Sequence, residues 1–368
     1  MKAAVQRPPQ VDPGGQAVPV TPVRLSSGNP QPPEAVALLT AVATAAGDVP
    51  ALLELAKEAG STWPQPGGGS TQVLWELLAS VSAIDVAAGR IFEPHLDALA
   101  ILAQAGHDPA LAEGAWGVYA AEGPGLRLEA SGGTSGAVLS GSKPWCSLAP
   151  VLDHAVITAH TDGGRRAFAV DLHHAGVTFG EPPWVARGLR EIPSGTVHFD
   201  DVPAEPLAGV DWYFSRPGFA WGGIGVAACW LGGAIGVGRD YRNSLQEGAA
   251  SGREPDQVAL AALGEIDRTL SAGLQYLART AEAIDAGRTA AGERGPGWSD
   301  ALRVRGTVAA AVERVLHLVG SNRGPAPLAF DETYAKRMAD LALYVRQHHA
   351  MRDDAQLGRL TLDGGSAW

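Results

Sequence analysis

The chain has 368 residues, of which 46% are hydrophobic, and its 28 basic and 39 acidic side chains give a formal net charge of −11. A chain of this length can bury a large core, and its negative charge disfavours nucleic acids and anionic membranes as partners. Cys146 and Cys229 form no Cys-x-x-Cys pattern, so neither a zinc site nor a disulfide framework is indicated, and a reducing, cytoplasmic compartment is expected. We therefore expect small-molecule or protein partners.

The chain starts with a weakly patterned segment and continues with helical sequence. Residues 1–33 are rich in Pro, Gln, Gly and Val and contain no apolar segment long enough for a signal peptide, so we interpret them as a flexible lead-in. The stretches 33–46 and 49–59 are rich in Ala and Leu with helical spacing. Gly60, followed by the Pro- and Gly-rich segment 64–70, predicts a helix stop and a loop.

A longer helix is predicted after this loop. Ser70 or Thr71 is suited to cap it. Apolar residues then recur every three or four positions, which predicts one buried face up to about Ala105. Residues 34–112 are therefore expected to form an N-terminal helical domain.

The sequence changes to β-type between residues 113 and 212. Short runs rich in Val, Ile, Thr and aromatic residues are separated by Gly, Pro and Asp, a pattern typical of antiparallel sheets. These runs lie at 116–120, 137–139, 155–159, 166–171, 177–179 and 195–199. We expect a small central β-barrel or sandwich.

Residues 219–238 form an uncharged stretch between Arg216 and Arg239, which is long enough to cross a membrane. It contains seven glycines, and no other comparable stretch accompanies it. Because a helix buried on all sides of a bundle has the same composition, we interpret the stretch as a buried helix rather than a membrane span.

Helical sequence then continues to the C-terminus. Apolar stripes run through 263–284 and 308–319, with a Gly- and Pro-rich linker at 292–297 between them. A last helix is expected from about Thr333 to Leu360. Long helices with apolar stripes predict a four-helix bundle.

These parts define the predicted fold class, which is α+β but mostly α. It consists of an N-terminal helical domain, a central small β-barrel or sandwich, and a C-terminal four-helix bundle over residues 213–368. This order resembles the acyl-CoA dehydrogenase family.

Local motifs follow one another in the order of that family. Gly141-Ser-Lys-Pro-Trp-Cys-Ser resembles the family's Gly-x-Lys-x-Trp-Ile-Thr. Trp116-Gly-Val-Tyr-Ala-Ala-Glu-Gly-Pro-Gly resembles, approximately, its Tyr-x-x-Thr-Glu-Pro-Gly-Ala-Gly-Ser. Further similar stretches lie at 66–71, 187–190 and 197–203. The resemblance covers nearly the whole chain from about residue 50.

Trp145 and Ser147 are the main candidates for ligand contact. The indole of Trp145 offers an apolar face to a flat ligand, and the Ser147 hydroxyl can form a hydrogen bond at its edge. The resemblance implies that this ligand is FAD, with Trp145 against the isoalloxazine ring, Ser147 near N5, and Glu122 and Cys146 among the neighbours. Ala121 replaces a threonine with which the family commonly bonds the flavin. The alternative is that Trp145 is a core residue at a strand end.

The resemblance implies two further FAD contacts. Arg253 lies in the span where family members carry an Arg-x-x-Phe-Gly turn for the pyrophosphate, and its guanidinium can donate to a phosphate, although the Phe-Gly pair is absent. Gly320 belongs to a stretch that resembles the family's glycine-rich turn near the adenine of a neighbouring subunit's FAD. FAD is the expected cofactor, and no metal is expected.

The resemblance also implies a base that removes an α-proton while hydride passes to the flavin. The family's usual glutamate is missing, since its position aligns with His348, and 219–238 contains no acid. An imidazole titrates near neutral pH, and His348 shares a helical stripe with Tyr344 and Met351, which predicts an inward side chain. The alternative is a buried histidine satisfied by a hydrogen bond. Two carboxylate pairs are explained by solvation or helix ion pairs: Asp353 with Asp354, and Glu265 with Asp267.

Three functions remain open at this stage. The first is an acyl-CoA dehydrogenase-like flavoprotein that oxidises an acyl thioester, such as an acyl-CoA, or a related small molecule by hydride transfer to FAD. The second is a flavin-dependent monooxygenase of the same superfamily, and the third is a non-catalytic family member. The resemblance implies a homodimer or homotetramer. A pocket or an oligomer interface is expected from an aromatic cluster: Trp184, Trp212, Tyr213, Phe214, Trp221 and Trp230.

Overall fold

The computed structural model describes residues 20–25, 31–107, 113–133, 136–180, 184–287 and 297–364. Most of the predicted lead-in and of the predicted linker at 292–297 lie outside these ranges. A flexible lead-in does not hold for residues 20–25, because Val23 and Leu25 are each only 2% exposed. The main-chain N–H of Val23 donates to Ser80, and that of Leu25 donates to Glu76.

The helices before the sheet are α1 (Pro33–Thr44), α2 (Val49–Thr62), α3 (Thr71–Ile84) and α4 (Val86–Gln104). The one helix predicted to reach Ala105 is therefore two. Asp85 adopts an extended backbone and its carboxylate accepts from the N–H of Ala88, which starts a new helix. Gly60 does not stop α2. A Cβ at Gly60 would lie 2.9 Å from Nε2 of His95, so the glycine lets α2 and α4 approach closely.

The central strands are β1 (Trp116–Tyr119), β2 (Leu128–Gly133), β3 (Gly136–Ser147), β4 (His154–Thr161), β5 (Gly164–Asp171), β6 (Val177–Phe179) and β7 (Ser194–Leu207). Because β4 pairs with both β2 and β5, the strands β4, β2, β3, β7 and β5 close into a ring. This ring is the predicted barrel. Its pairing is mixed, however, since β4 runs parallel to β1 and β2. The sequence patterns missed β2, which contains no β-branched or aromatic residue.

The remaining helices are α5 (Trp212–Ser215), α6 (Pro217–Ala250), α7 (Gln257–Asp285), α8 (Trp298–Arg323), α9 (Pro325–Phe330), α10 (Glu332–Tyr344) and α11 (Met351–Leu362). The single last helix predicted from Thr333 to Leu360 is broken by a 3₁₀ turn at Val345–Gln347 and by a left-handed backbone at Ala350. The predicted fold class is confirmed: helices, then a small barrel, then a helical bundle.

The apolar stretch in α6 is buried, as predicted. Within the described residues, α6 is the one helix long and apolar enough to cross a membrane, and 78% of its most apolar 18-residue stretch is buried inside the protein. Gly232 sets the distance between α6 and α3. A Cβ at Gly232 would lie 2.1 Å from the main-chain oxygen of Ala79, so only glycine permits this approach.

Replacing Gly232 by Ala is expected to lower the free energy of unfolding by about 1–3 kcal/mol, because α3 and α6 must separate to admit the methyl group. Gly264→Ala is the matched control, since Gly264 lies on the exposed side of α7 with no heavy atom within 4 Å of an added Cβ. This control should raise the stability by about 0.5–1 kcal/mol. Urea unfolding measures both changes, and a stability gain in Gly232→Ala would contradict the close approach.

Lys336 joins α4, the segment before β7 and α10. Its Nζ lies 3.0 Å from Asp85, 2.7 Å from Glu191 and 2.6 Å from Asp340. Asp340 also accepts from the N–H of Leu189 at 2.6 Å. Burial alone would lower the pKa of Lys336, but the three carboxylates raise this pKa overall. The carboxylates are close enough to share a metal ion, yet the Lys336 ammonium already lies among them, so we interpret the cluster as structural.

Candidate active site

A strained turn at the end of β3 carries Trp145 and Ser147. Trp145 and Leu148 have φ angles of 61° and 58°, a left-handed conformation that costs free energy in residues other than glycine. The pairing of β3 with β7 shifts register between Lys143 and Cys146, and such bulges re-aim side chains. Because Trp145 is 61% exposed, the alternative of a core residue at a strand end is wrong.

Ser147 lies among hydroxyl and guanidinium groups from three elements. Its Oγ lies 2.6 Å from Oγ of Ser194 on β7 and accepts from Nη2 of Arg90 on α4 at 3.2 Å. The hydroxyl of Tyr119 donates to the main-chain oxygen of Ser147 at 2.8 Å. The exposed indole of Trp145 lies two residues before Ser147 in the chain, and an aromatic face with a hydroxyl near it suits an isoalloxazine ring, which has apolar faces and a hydrogen-bonding edge.

Glu122 is an exposed residue paired with side chains from three barrel strands. Its carboxylate lies 2.8 Å from Nζ of Lys143, 2.9 Å from Arg165 and 3.3 Å from His160. Lys143 is almost fully buried and also donates to Thr158 at 3.1 Å. Burial would raise the pKa of Glu122, but the hydrogen bond and charge of Lys143 lower this pKa overall. Glu122 therefore compensates a buried lysine, and its contact with a flavin stays a prediction.

Cys146 turns its side chain into the barrel. Only 1% of the residue is exposed, and its Sγ donates to the main-chain oxygen of Lys143 at 3.3 Å. Burial raises the pKa of Cys146 to about 12, so the group is a neutral thiol. Since the Cys146 side chain is buried and the neighbouring indole of Trp145 is exposed, a ligand at this turn would meet Cys146 through its main chain.

Arg253 follows α6 and lines a surface pocket together with Glu254, Asp256 and Asn322. Two carboxylates beside the guanidinium oppose the approach of a phosphate. Asp256 also caps α7 by accepting from the N–H of Ala259 at 2.8 Å, so this helix start is already satisfied. A pyrophosphate contact by Arg253 stays a prediction.

Gly320 lies inside α8, so the glycine-rich turn predicted around it is wrong. The helix continues to Arg323, and the left-handed residue that ends it is Gly324, with φ of 70°. A Cβ at Gly320 would make an ordinary 3.7 Å contact with Met338, so the position does not require glycine. The expected contact of Gly320 with a neighbouring subunit's adenine stays a prediction.

His348 lies in the break between α10 and α11 rather than on a continuous helix. Its side chain is 10% exposed, as the predicted inward position requires, and its ring centroid lies 6.4 Å from that of Trp230. Met351, expected on the same stripe, is 84% exposed, because the helix is interrupted between the two. Nε2 of His348 is buried without a hydrogen-bond partner in the described structure and lies 3.7 Å from Asp353. Burial lowers the pKa of His348, Asp353 opposes this and Arg305 adds to it.

The side chains around His348 include Trp230 on α6 but not Ser147. Arg305 stacks over Trp230 with its Cζ 4.7 Å from the ring centroid, and it donates to the main-chain oxygens of Gly223 and Gln347. No hydrogen bond among the described residues joins His348 to Ser147. The catalytic role of His348 therefore stays a prediction.

The sequence patterns did not identify two carboxylates on α4, the buried Glu93 and the partly buried Asp97. Glu93 is 9% exposed, and its Oε2 lies 3.8 Å from Nη1 of Arg90, while Asp97 lies 3.5 Å from Arg216. Burial raises the pKa of Glu93 to about 7, and burial also raises the pKa of Asp97, although Arg216 acts against it. A usable signal existed: Arg90, Glu93 and Asp97 are the only Asp, Glu, Lys or Arg residues in α4, and their spacing puts them on one face.

A cavity between α2, α3, α4 and α6 reaches these carboxylates. The space within it that a water-sized molecule can enter is about 30 Å³, and the whole region, including open solvent at its mouth, is about 480 Å³. Most of its lining is apolar, with Trp63, Trp75 and Trp221 among the larger side chains, and Glu93 and Asp97 contribute its charged groups. Within the aromatic cluster noted in the sequence, Trp221 lines this cavity, whereas Trp230 is fully buried and Tyr213 packs edge-to-face on Phe214 and Phe219.

Comparison with known proteins identifies the fold. No family profile matches the sequence, and no curated protein matches it significantly. Among solved structures, KijD3 in complex with FMN and dTDP-3-amino-2,3,6-trideoxy-4-keto-3-methyl-D-glucose has a TM-score of 0.74 at 19% identity, over 92% of this chain and 95% of that one. A nitrososynthase from Micromonospora carbonacea var. africana has a TM-score of 0.73 at 18% identity, over 94% and 100% of the chains.

A glutaryl-CoA dehydrogenase from Mycobacterium smegmatis in complex with FADH2 has a TM-score of 0.72 at 16% identity, over 92% of this chain and 96% of that one. At such identities the likeness shows the fold alone. The chain thus has the fold of acyl-CoA dehydrogenases, which it shares with proteins crystallised with FMN and with FADH2. The resemblance seen in the sequence holds at this level.

Proposed function

We propose that the protein is a flavin-dependent oxidoreductase in which the isoalloxazine ring packs on Trp145 and bonds to Ser147 near N5. One observation carries this proposal: an exposed tryptophan is held in a strained turn beside a serine that contacts both Ser194 and Arg90. Strained backbone conformations cluster at functional sites. Flavin complexes of the same fold add support. A bound flavin would accept two electrons from the substrate as a hydride.

The side chains around Ser147 would hold and polarise the ring. The guanidinium of Arg90 is a cation with a planar set of donors, and it already donates to Ser147 at 3.2 Å. A fixed positive charge near the N5 edge of a bound flavin would stabilise the negative charge that develops on the ring during its reduction. We propose FAD as the flavin.

The substrate we propose is an acyl thioester or a related small molecule, with its apolar part against the cavity between α2, α3, α4 and α6. Trp75 and Trp221 offer apolar walls there, and burial of an acyl chain gains about 0.8 kcal/mol for each methylene removed from water. The charged groups of this cavity lie at Glu93 and Asp97, where a polar or reacting part of the substrate is better accommodated than the chain.

Flavin uptake tests the proposal directly. The purified protein should quench the fluorescence of added FAD on binding, and anaerobic addition of a panel of acyl-CoA thioesters should bleach the visible flavin absorbance for at least one member. FMN is titrated in parallel, and tighter binding of FMN would replace FAD as the cofactor. Failure to take up either flavin would refute the proposed function.

A flavin-dependent monooxygenase is the second candidate. It is favoured because neither position expected for a glutamate base carries one, and because the fold neighbours include a nitrososynthase and an FMN complex with a dTDP-linked sugar. Such an enzyme would consume oxygen with reduced flavin from a partner reductase and would not be bleached by thioesters. Bleaching by a thioester without oxygen would exclude it.

A further inference from the structure

Within the part of the chain that the structure describes, Glu93 is a carboxylate connected to the Ser147 site through one arginine. Arg90 lies between them, because its Nη2 donates to Oγ of Ser147 at 3.2 Å while its Nη1 lies 3.8 Å from Oε2 of Glu93. Both side chains belong to α4 and lie one turn apart, so a helix rather than a loop sets their relative position. A single guanidinium thus separates the expected flavin edge from a buried acid.

Glu93 also lines the cavity proposed for the substrate. Glu93 therefore borders a cavity with mostly apolar walls, and it also contacts Arg90, which donates to Ser147. His348, in contrast, lies against Trp230 and Asp353 and does not line this cavity. The structure thus offers a different acid–base group from the one expected from the family alignment.

The groups around Glu93 have opposite effects on its pKa. Burial raises the pKa and the Asp97 charge adds to this, whereas the charges of Arg90 and Arg305 lower it, and the result is a pKa of about 7. Burial raises the pKa of Cys229 to about 12, so that thiol stays neutral. The ionisable groups acting on Glu93 are Arg90 and Asp97 on α4 and Arg305 on α8. The Glu93 charge in turn helps raise the pKa of three buried neutral groups: Tyr213 on α5, Cys229 on α6 and Tyr344 on α10.

We propose that Glu93 is the base that removes a proton from the substrate, an inference that rests on the proposed flavin-dependent function. The proton passes from a substrate C–H to an oxygen of Glu93, and its electron pair stays on the substrate as a new carbon–carbon double bond. A hydride leaves the neighbouring carbon for the oxidised flavin, the oxidant of the proposed function. The neutral Glu93 then returns its proton to solvent. General bases work best when their pKa lies near the working pH.

A pH titration of the flavin absorbance tests whether Glu93 lies close enough to the flavin to affect its spectrum. With FAD bound, or FMN if only FMN binds, the visible absorbance of the wild-type protein should show a transition near pH 7, where Glu93 ionises. Glu93→Gln should abolish this transition. Asp97→Asn is the matched control, since it should retain the transition and lower its midpoint, because the Asp97 charge raises the pKa of Glu93.

The two hypotheses fail in different ways in this titration. A transition that persists unchanged in Glu93→Gln would overturn the role of Glu93 while flavin binding stands. If neither flavin binds, the proposed function fails, and the inference about Glu93 fails with it.

Folding stability gives a readout that needs no flavin. An acid with a raised pKa binds its proton more tightly in the folded state, so the wild-type stability should fall as the pH rises from about 4, the unfolded value, towards 7. Glu93→Gln should lack this part of the pH dependence. The same slope in both proteins would show that Glu93 does not titrate in this range.

A thioester that bleaches the flavin completes the test. Glu93→Gln should slow the bleaching by roughly 100-fold or more, the range lost with a general base, and Glu93→Asp should retain part of the rate. Glu265 lies on α7 and forms an exposed ion pair with Arg314 on α8, so Glu265→Gln should leave the rate unchanged. An undiminished rate in Glu93→Gln, with a loss in His348→Asn, would assign the role to His348 instead.

Discussion

Replacing Lys336 by Met is expected to lower the free energy of unfolding by about 3–5 kcal/mol, the usual cost of removing one partner from a buried ionic cluster. Lys336 is the cation within 3.0 Å of Asp85, Glu191 and Asp340, and the side chain of Asp340 is only 1% exposed. Without the ammonium, three carboxylates would repel one another in a poorly hydrated site. Chemical unfolding near neutral pH measures the loss.

The pH dependence of this loss identifies its cause. The difference between Lys336→Met and the wild type should shrink at about pH 4 and below, where carboxylates take up protons, and Lys336→Met/Asp340→Asn should recover part of the stability at neutral pH. Arg314→Ala removes a cation from an exposed pair with Glu265 and should cause no resolvable change. A loss that stays constant across this pH range would point to lost packing instead of charge.

Replacing Trp145 by Gly should weaken flavin binding while sparing, or raising, stability relative to Trp145→Ala. Trp145 has φ of 61° and is 61% exposed, so its truncation removes little buried surface. Glycine relieves the left-handed strain that alanine retains, and Trp145→Gly should be about 1 kcal/mol more stable than Trp145→Ala. Both variants should bind FAD or FMN about 10–100-fold more weakly, since one stacked aromatic is worth about 1–3 kcal/mol.

Two control variants separate stacking from general effects in this experiment. Phe330→Ala removes another aromatic side chain, 90% exposed on α9, and should leave flavin affinity unchanged. Trp145→Phe keeps an aromatic face and should retain most of the affinity. Fluorescence titration and urea unfolding supply the two measurements. Wild-type affinity in Trp145→Ala would show that the indole does not contact the flavin.

The fold class was predictable because its signals are local and periodic. The apolar stripes of α7 and α8 follow the helical period, and the barrel strands alternate with Gly, Pro and Asp turns. The buried interpretation of α6 was also accessible, since its glycines suit close helix packing, as Gly232 shows against Ala79. The boundaries were less accessible: Asp85 splits α3 from α4, and the break before His348 depends on a left-handed Ala350.

The candidate site was predicted in part. Trp145 and Ser147 could be singled out because an aromatic residue and a hydroxyl lie two positions apart in one motif, and the structure adds Arg90 and Ser194 from distant parts of the chain. Glu93 was missed although Arg90, Glu93 and Asp97 share one face of α4, because a charged helix face has the same local sequence whether it meets solvent or a cavity. Its charge became significant only through burial by α6 and α10, which lie more than a hundred residues away in sequence.

The sequence by itself determined the fold class, most of the helices and strands, and the burial of α6, because each depends on local periodicity or composition. Only the tertiary structure decided that Arg90 links Ser147 to Glu93, that Lys336 balances three acids, and that Gly320 lies in a helix. These contacts depend on how segments distant in sequence pack together, and the pKa of each buried group depends on the charges and the burial that this packing creates. A local pattern carries no record of them.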